Sequence, residues 1–205
     1  DGILWTPWNS LLVTEEQKRD SSPDPQYPDA ARGLVYELFP NPDDPRLLAR
    51  IRARPLLGSL THEGIETDRE GNIYVIDEHR PGAIYRFVPD HFGDLESGRL
   101  FVLGVSGGAQ TGPAEWIPLQ LDRKTIDARG AARKAGATGF CRPEDLERIG
   151  KTLYVALTCE ARDGAVLSIR LGTENPVVDY FVEPGRNVAA ENSRLRQTGF
   201  RNPDN

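Results

Sequence analysis

Three acidic residues of this 205-residue chain occupy matching places in a repeated stretch. His62-Glu63-Gly64-Ile65-Glu66 aligns with Pro143-Glu144-Asp145-Leu146-Glu147. The match continues from Gly71-Asn72-Ile73-Tyr74-Val75 to Lys151-Thr152-Leu153-Tyr154-Val155, and Gly82-Ala83-Ile84 falls on Gly164-Ala165-Val166. The offsets run 81, 80 and 82, so one-residue adjustments in turns keep the two copies aligned. A third copy starts at Pro203-Asp204, and a fourth without its front half accounts for Ser10-Leu11-Leu12-Val13 followed by Gly33-Leu34-Val35-Tyr36-Glu37. Glu63, Glu144 and Asp204 thus share one position, at the start of a unit's first strand. Converging carboxylates repel unless protonated or neutralised, and converging hard oxygens are how calcium is held. One acid beside Pro or Gly in a turn is most simply a cap. Recurrence at one repeat position favours a metal site instead.

Other groups extend this set. Glu15-Glu16 and Asp77-Glu78-His79 each place carboxylates at the end of an apolar run, a position suited to ligands and equally to a solvated strand end. Glu160 and Asp163 read as solvated. His62 is open to three roles: ligand, proton donor or satisfied turn histidine. Arg142, directly before Pro143-Glu144, would clamp a phosphate or neutralise the acids around it. His91, Trp5, Trp8 and Trp116 read as packing or surface residues.

The elements that must position these groups are short. Runs rich in β-branched and aromatic residues at 11–14, 34–39, 73–77, 84–88, 100–105, 153–158, 166–171 and 177–182 are separated by Gly, Pro, Asn and Asp. They predict an all-β chain. The Ala, Arg and Lys content of 124–137 predicts one short helix in a connection. Segments 18–32 and 40–46 read as surface loops. Repeated strand–turn–strand units that cannot bury their own faces predict a β-propeller, with the recurring acids lining its channel. The chain opens on Asp1 and closes where a further copy starts, so the expectation is a single partial propeller over 1–205, three to four blades, truncated at both ends.

Composition excludes several classes. Net charge is −6 with Lys and Arg scattered, so the basic footprint of a nucleic-acid binder is missing. No run reaches the roughly 18 apolar residues of a membrane span, and with both ends expected to be cut, any export signal would lie outside these residues. Cys141 and Cys159 lack zinc spacing and read as buried thiols or one disulfide.

In order along the chain, Thr6-Pro7-Trp8-Asn9-Ser10-Leu11-Leu12-Val13-Thr14-Glu15-Glu16, His62-Glu63-Gly64, Arg142-Pro143-Glu144 and Asn202-Pro203-Asp204-Asn205 resemble the successive motifs of PhoX-type bacterial alkaline phosphatases. The resemblance implies an exported propeller, periplasmic or secreted and monomeric, that hydrolyses small phosphate esters with calcium and iron. It implies Glu15, Glu16, Glu63, Glu144 and Asp204 as metal ligands and Arg142 as the catalytic phosphate-holding residue. The family carries a cysteine directly before the Glu pair, a soft ligand for iron, where this chain has Thr14. Calcium is therefore the expected cation, and iron lacks its thiolate. Two alternatives stay open: a calcium propeller of the lactonase type, and a propeller that binds calcium or a partner without turnover.

Overall fold

A computed structural model describes residues 2–16, 32–121, 124, 126–158, 164–172 and 175–183. Among the described residues, thirteen strands form three four-stranded antiparallel meanders and a linking strand, with one α-helix beside them. The first meander is β1 (Ile3–Trp5), β2 (Leu11–Thr14), β3 (Val35–Pro40) and β4 (Leu48–Ala53). The second is β5 (His62–Thr67), β6 (Ile73–Asp77), β7 (Ile84–Pro89) and β8 (Gly98–Val105). Strand β9 (Gly112–Pro118) and helix α1 (Ala128–Ala135) lie in the connection to the third, which is β10 (Pro143–Ile149), β11 (Thr152–Leu157), β12 (Ala165–Arg170) and β13 (Val177–Val182). By pairing with both β8 and β13, β9 joins the last two meanders into one nine-stranded sheet.

Burial patterns give the order in which the meanders stack. In β6, Ile73, Tyr74, Val75 and Ile76 are all buried, as a strand covered on both faces must be. Ile73 and Val75 pack with Leu12, Val35, Tyr85 and Phe87 in one core, while Tyr74 and Ile76 pack with Leu103, Leu153, Val155 and Leu167 in another. The second meander is therefore the middle blade. β11 alternates buried and half-buried residues, one face on the core. β4, an edge strand with Arg50 and Arg52, is exposed throughout. This is the propeller-like stacking that the repeat predicted, with the first strand of each meander brought to the same place.

The inner strands approach closely. A Cβ on Gly64 of β5 would stand 2.6 Å from Asp145 Oδ1 and 2.7 Å from Leu146 N of β10. One on Gly2 would stand 2.3 Å from Glu63 O. Across the same seam Arg148 Nε donates to Thr67 O at 2.7 Å. The helix is shorter than its composition predicts because its ends are capped. Asp127 Oδ1 accepts from Gly130 N at 3.0 Å, and Gly136, at φ 77°, closes the last turn as only an unhindered residue does readily. No helix among the described residues is long and apolar enough to cross a membrane.

Candidate metal centre

Both copies of the repeat carry a β-bulge at the acidic position. β5 pairs with β6 through His62 opposite Asp77, then resumes with Ile65 opposite Val75; β10 pairs with β11 through Pro143 opposite Leu157, then resumes with Leu146 opposite Val155. The displaced residues are Glu63-Gly64 and Glu144-Asp145. A bulge twists the strand and re-aims a side chain that regular pleating would alternate away. Glu63 and Glu144 are both buried, each 6% exposed, although each is a carboxylate.

Oxygens of Glu16, Glu63 and Glu78 all lie within 4.8 Å of one another. Glu16 comes from the chain leaving β2, held to the start of β5 by the His62 N–H donating to Glu15 O at 3.2 Å. Glu78 follows β6, where Glu78 N donates to Thr61 O at 2.8 Å. Burial pushes the Glu63 carboxyl above its ordinary range, and the negative Glu16 and Glu78 add to that.

Arg142 stands beside the group. Its Nε donates to Glu78 Oε1 at 2.9 Å, its Nη2 also pairs with that oxygen, and Nη2 lies 3.6 Å from Glu144 Oε2. The backbone is set for this. Gly82 and Phe140 exchange hydrogen bonds at 2.8 Å, Arg142 N donates to His79 O at 3.1 Å, and Arg142 itself adopts φ 42°. A non-glycine residue in the left-handed region is uncommon, and such residues gather at functional sites. Gly82 must be glycine here, since a Cβ would meet Asp77 O at 2.1 Å. Cys141, next to Arg142, is disulfide-bonded. The chain's other cysteine, Cys159, lies outside the described residues.

Of the residues read from the sequence, the structure brings together Glu16 and Glu63, with Glu144 linked to them through Arg142 and Glu78. Glu15 serves elsewhere: its Oε2 accepts from Leu34 N at 3.0 Å, and its charge faces Tyr36. Asp204, Glu160 and Asp163 lie outside the described residues. Glu78 joins the group although only its place at a strand end pointed to it. Its neighbour Asp77 does not, because Arg129 of α1 takes both its oxygens, at 2.6 Å each, and also donates to Thr61 Oγ1 at 2.8 Å. His62 is buried with Nε2 at 3.3 Å from Gly58 O, and burial pushes its pKa down to about 4, so it is neutral at pH 7. Thr14 stitches strands together: its Oγ1 accepts from Gly2 N at 2.6 Å and donates to Glu63 O at 3.1 Å.

The donor set fits a hard cation. Ligands about 2.3–2.6 Å from calcium can stand at most about 4.6–5.2 Å apart, and the three carboxylates satisfy that limit. The group contains no thiolate, and Thr14 uses its oxygen on backbone.

A propeller-like β protein with acidic side chains at one end of its inner strands is thus defined. A family model described as alkaline phosphatase PhoX matches residues 5–198, and the chain belongs to that family. PhoX of Pseudomonas fluorescens, solved in complex with vanadate, a transition state analogue, is similar in structure at a TM-score of 0.71 and 20% identity. That likeness speaks for the fold. It covers 100% of this chain and 52% of that one, so the chain spans about half the length of that protein. No curated protein matches the chain significantly.

Proposed function

We propose that the protein carrying this chain is a calcium-dependent phosphomonoester hydrolase. The observation that carries this reading is the convergence of Glu16, Glu63 and Glu78 beside Arg142. Family membership supports the reaction class. Glu16, Glu63 and Glu78 would hold the cation, which when bound supplies charge that neutralises phosphoryl oxygens. Glu63 and Glu78 project from the middle blade, so the fold sets their separation. Arg142 supplies a guanidinium at the rim of an anionic group, where a phosphate dianion would otherwise be repelled. Its left-handed backbone and its bond from N to His79 O fix the direction in which it points. Stabilisation of charge, rather than covalent chemistry by a side chain, would dominate. Glu144 would act on the centre through Arg142, whereas Glu15 is engaged by the Leu34 N–H. The disulfide at Cys141 supports a periplasmic or secreted location, since such bonds persist in oxidising compartments.

The test is calcium content and hydrolysis of an aryl phosphate by the purified protein, before and after chelation and calcium add-back. Chelator-sensitive phosphate release, reduced about 100-fold or more by Glu63→Gln or Glu78→Gln, is expected. Calcium binding without hydrolysis of a phosphate ester would replace the phosphatase with a calcium-stabilised binding propeller. Ring opening of a sugar lactone would replace it with the lactonase reading.

A further inference from the structure

A cavity of about 670 Å³ lies between the second and third meanders, at the opposite end of β5 and β6 from the carboxylates. Its size falls in the range of about 300–1,000 Å³ typical of small-molecule sites. The turn joining β5 to β6, the turn joining β10 to β11, and the faces of β7, β8 and β9 line it, and it is open to solvent on one side.

Arg86 of β7 is its central feature. The guanidinium carbon lies 5.5 Å from the Trp116 ring centroid and 5.8 Å from that of Phe101. Its Nε is buried and has no hydrogen-bond partner among the described residues. A guanidinium held against aromatic rings keeps its N–H edge for a ligand, and that edge matches a carboxylate or phosphate. The nearby charges do not consume it. Asp68 is occupied, accepting from Glu70 N, Asn72 N, Asn72 Nδ2 and Tyr74 Oη. Arg148 is likewise committed to Thr67 O and Gly150 O. Lys151 is exposed on the cavity wall and adds positive charge. Tyr74 and Trp116, tilted at 54° with centroids 6.0 Å apart, supply an apolar wall beside the cation.

We propose that this cavity is a second ligand site, separate from the metal centre, which takes a small oxyanion carried on an aromatic or apolar ring. Arg86 holds the oxyanion, Lys151 adds long-range attraction, and Trp116 and Tyr74 face the ring. The proposal does not depend on the phosphatase reading.

Benzoate and inorganic phosphate are the probes, titrated by calorimetry into the purified protein with chelator present, so that the metal centre does not compete for anion. Saturable binding of benzoate is expected, weakened roughly tenfold or more by Arg86→Gln, since a charge-assisted bond is lost. Lys151→Gln, a surface change that leaves folding intact, should weaken it by a smaller factor. Glu63→Gln should leave it unchanged. Trp116 fluorescence should respond to benzoate in the parent and not in Arg86→Gln. Phosphate binding as well as benzoate would mark the oxyanion alone as the recognised group; much weaker phosphate would bring in the ring. Failure of both probes to saturate overturns the proposal. So does binding that neither Arg86→Gln nor Lys151→Gln alters, or binding that Glu63→Gln removes.

Discussion

Replacing Arg129 with Met tests whether the connecting helix positions the metal centre. In the native protein Arg129 bonds to both oxygens of Asp77 and to Thr61 Oγ1, with the Asp77 side chain 1% exposed and that of Arg129 16%. Met keeps most of the stem's apolar contact and removes the charge, leaving a buried carboxylate to which, among the described residues, the Thr61 N–H at 3.0 Å still donates. Breaking a buried pair in this way costs about 3–5 kcal/mol. The partial exposure of Arg129 places the expectation near the lower end. At about 2–4 °C per kcal/mol for a domain this size, Tm should fall by roughly 6–12 °C. Urea unfolding of the chelated protein reads the loss directly. Adding Asp77→Asn to Arg129→Met should recover part of it, because Asn keeps an acceptor for Thr61 N–H without a buried charge. Calcium affinity should fall as well, since Asp77 and Thr61 flank Glu78 and His62-Glu63. A loss below about 1 kcal/mol with calcium binding unchanged would refute the reasoning and leave α1 a bystander.

Three further outcomes follow from the same contacts. Gly64→Ala puts a Cβ within 2.6 Å of Asp145 Oδ1, so it should cost about 1–3 kcal/mol in a urea melt and weaken calcium binding by prising β5 from β10. Glu37→Gln is the control: Glu37 is fully buried and accepts from Trp8 Nε1 at 2.8 Å and Arg54 Nε at 2.7 Å, so stability should drop by about 3 kcal/mol while calcium affinity per folded molecule stays put. His62, at a pKa of about 4 against 6.5 unfolded, is protonated more readily in the unfolded chain, so chelated protein should lose roughly 3 kcal/mol as pH falls from 6.5 to 4. That part of the slope should be missing in His62→Asn, compared by urea melts at each pH.

Eight strands were legible because their β-branched and aromatic residues bury a face, and the repeat exposed the two inner strands that composition alone left unmarked. The rest were hidden for physical reasons. β4 alternates arginine with apolar residues as an exposed edge, β1 has three residues, and β9 is bounded by Pro113 and Pro118. The repeat put Glu63 and Glu144 at one position near the start of a unit's first strand; the bulge that each occupies is present in both copies, shifts neither against the other, and so left no mark in the sequence. Within an acidic pair, though, sequence could not choose. Glu15 and Asp77 are taken up by other donors while Glu16 and Glu78 face the centre, and that division depends on Leu34 and Arg129, which come from distant segments. Arg142 was found by its adjacency to Pro143-Glu144; its partner Glu78, 64 residues earlier, had no local signal connecting the two.

The middle blade's burial on both faces has a consequence for how the centre comes apart. Glu63 and Glu78 ride on that blade, Glu16 on the one before it and Arg142 on the one after. Partial opening at one seam would strip Glu16 and leave the other ligands in place; opening at the other would release Arg142. A cation bound there would then act as a fastener between successive repeats, and the protection of amide hydrogens along both seams would rise together with its occupancy.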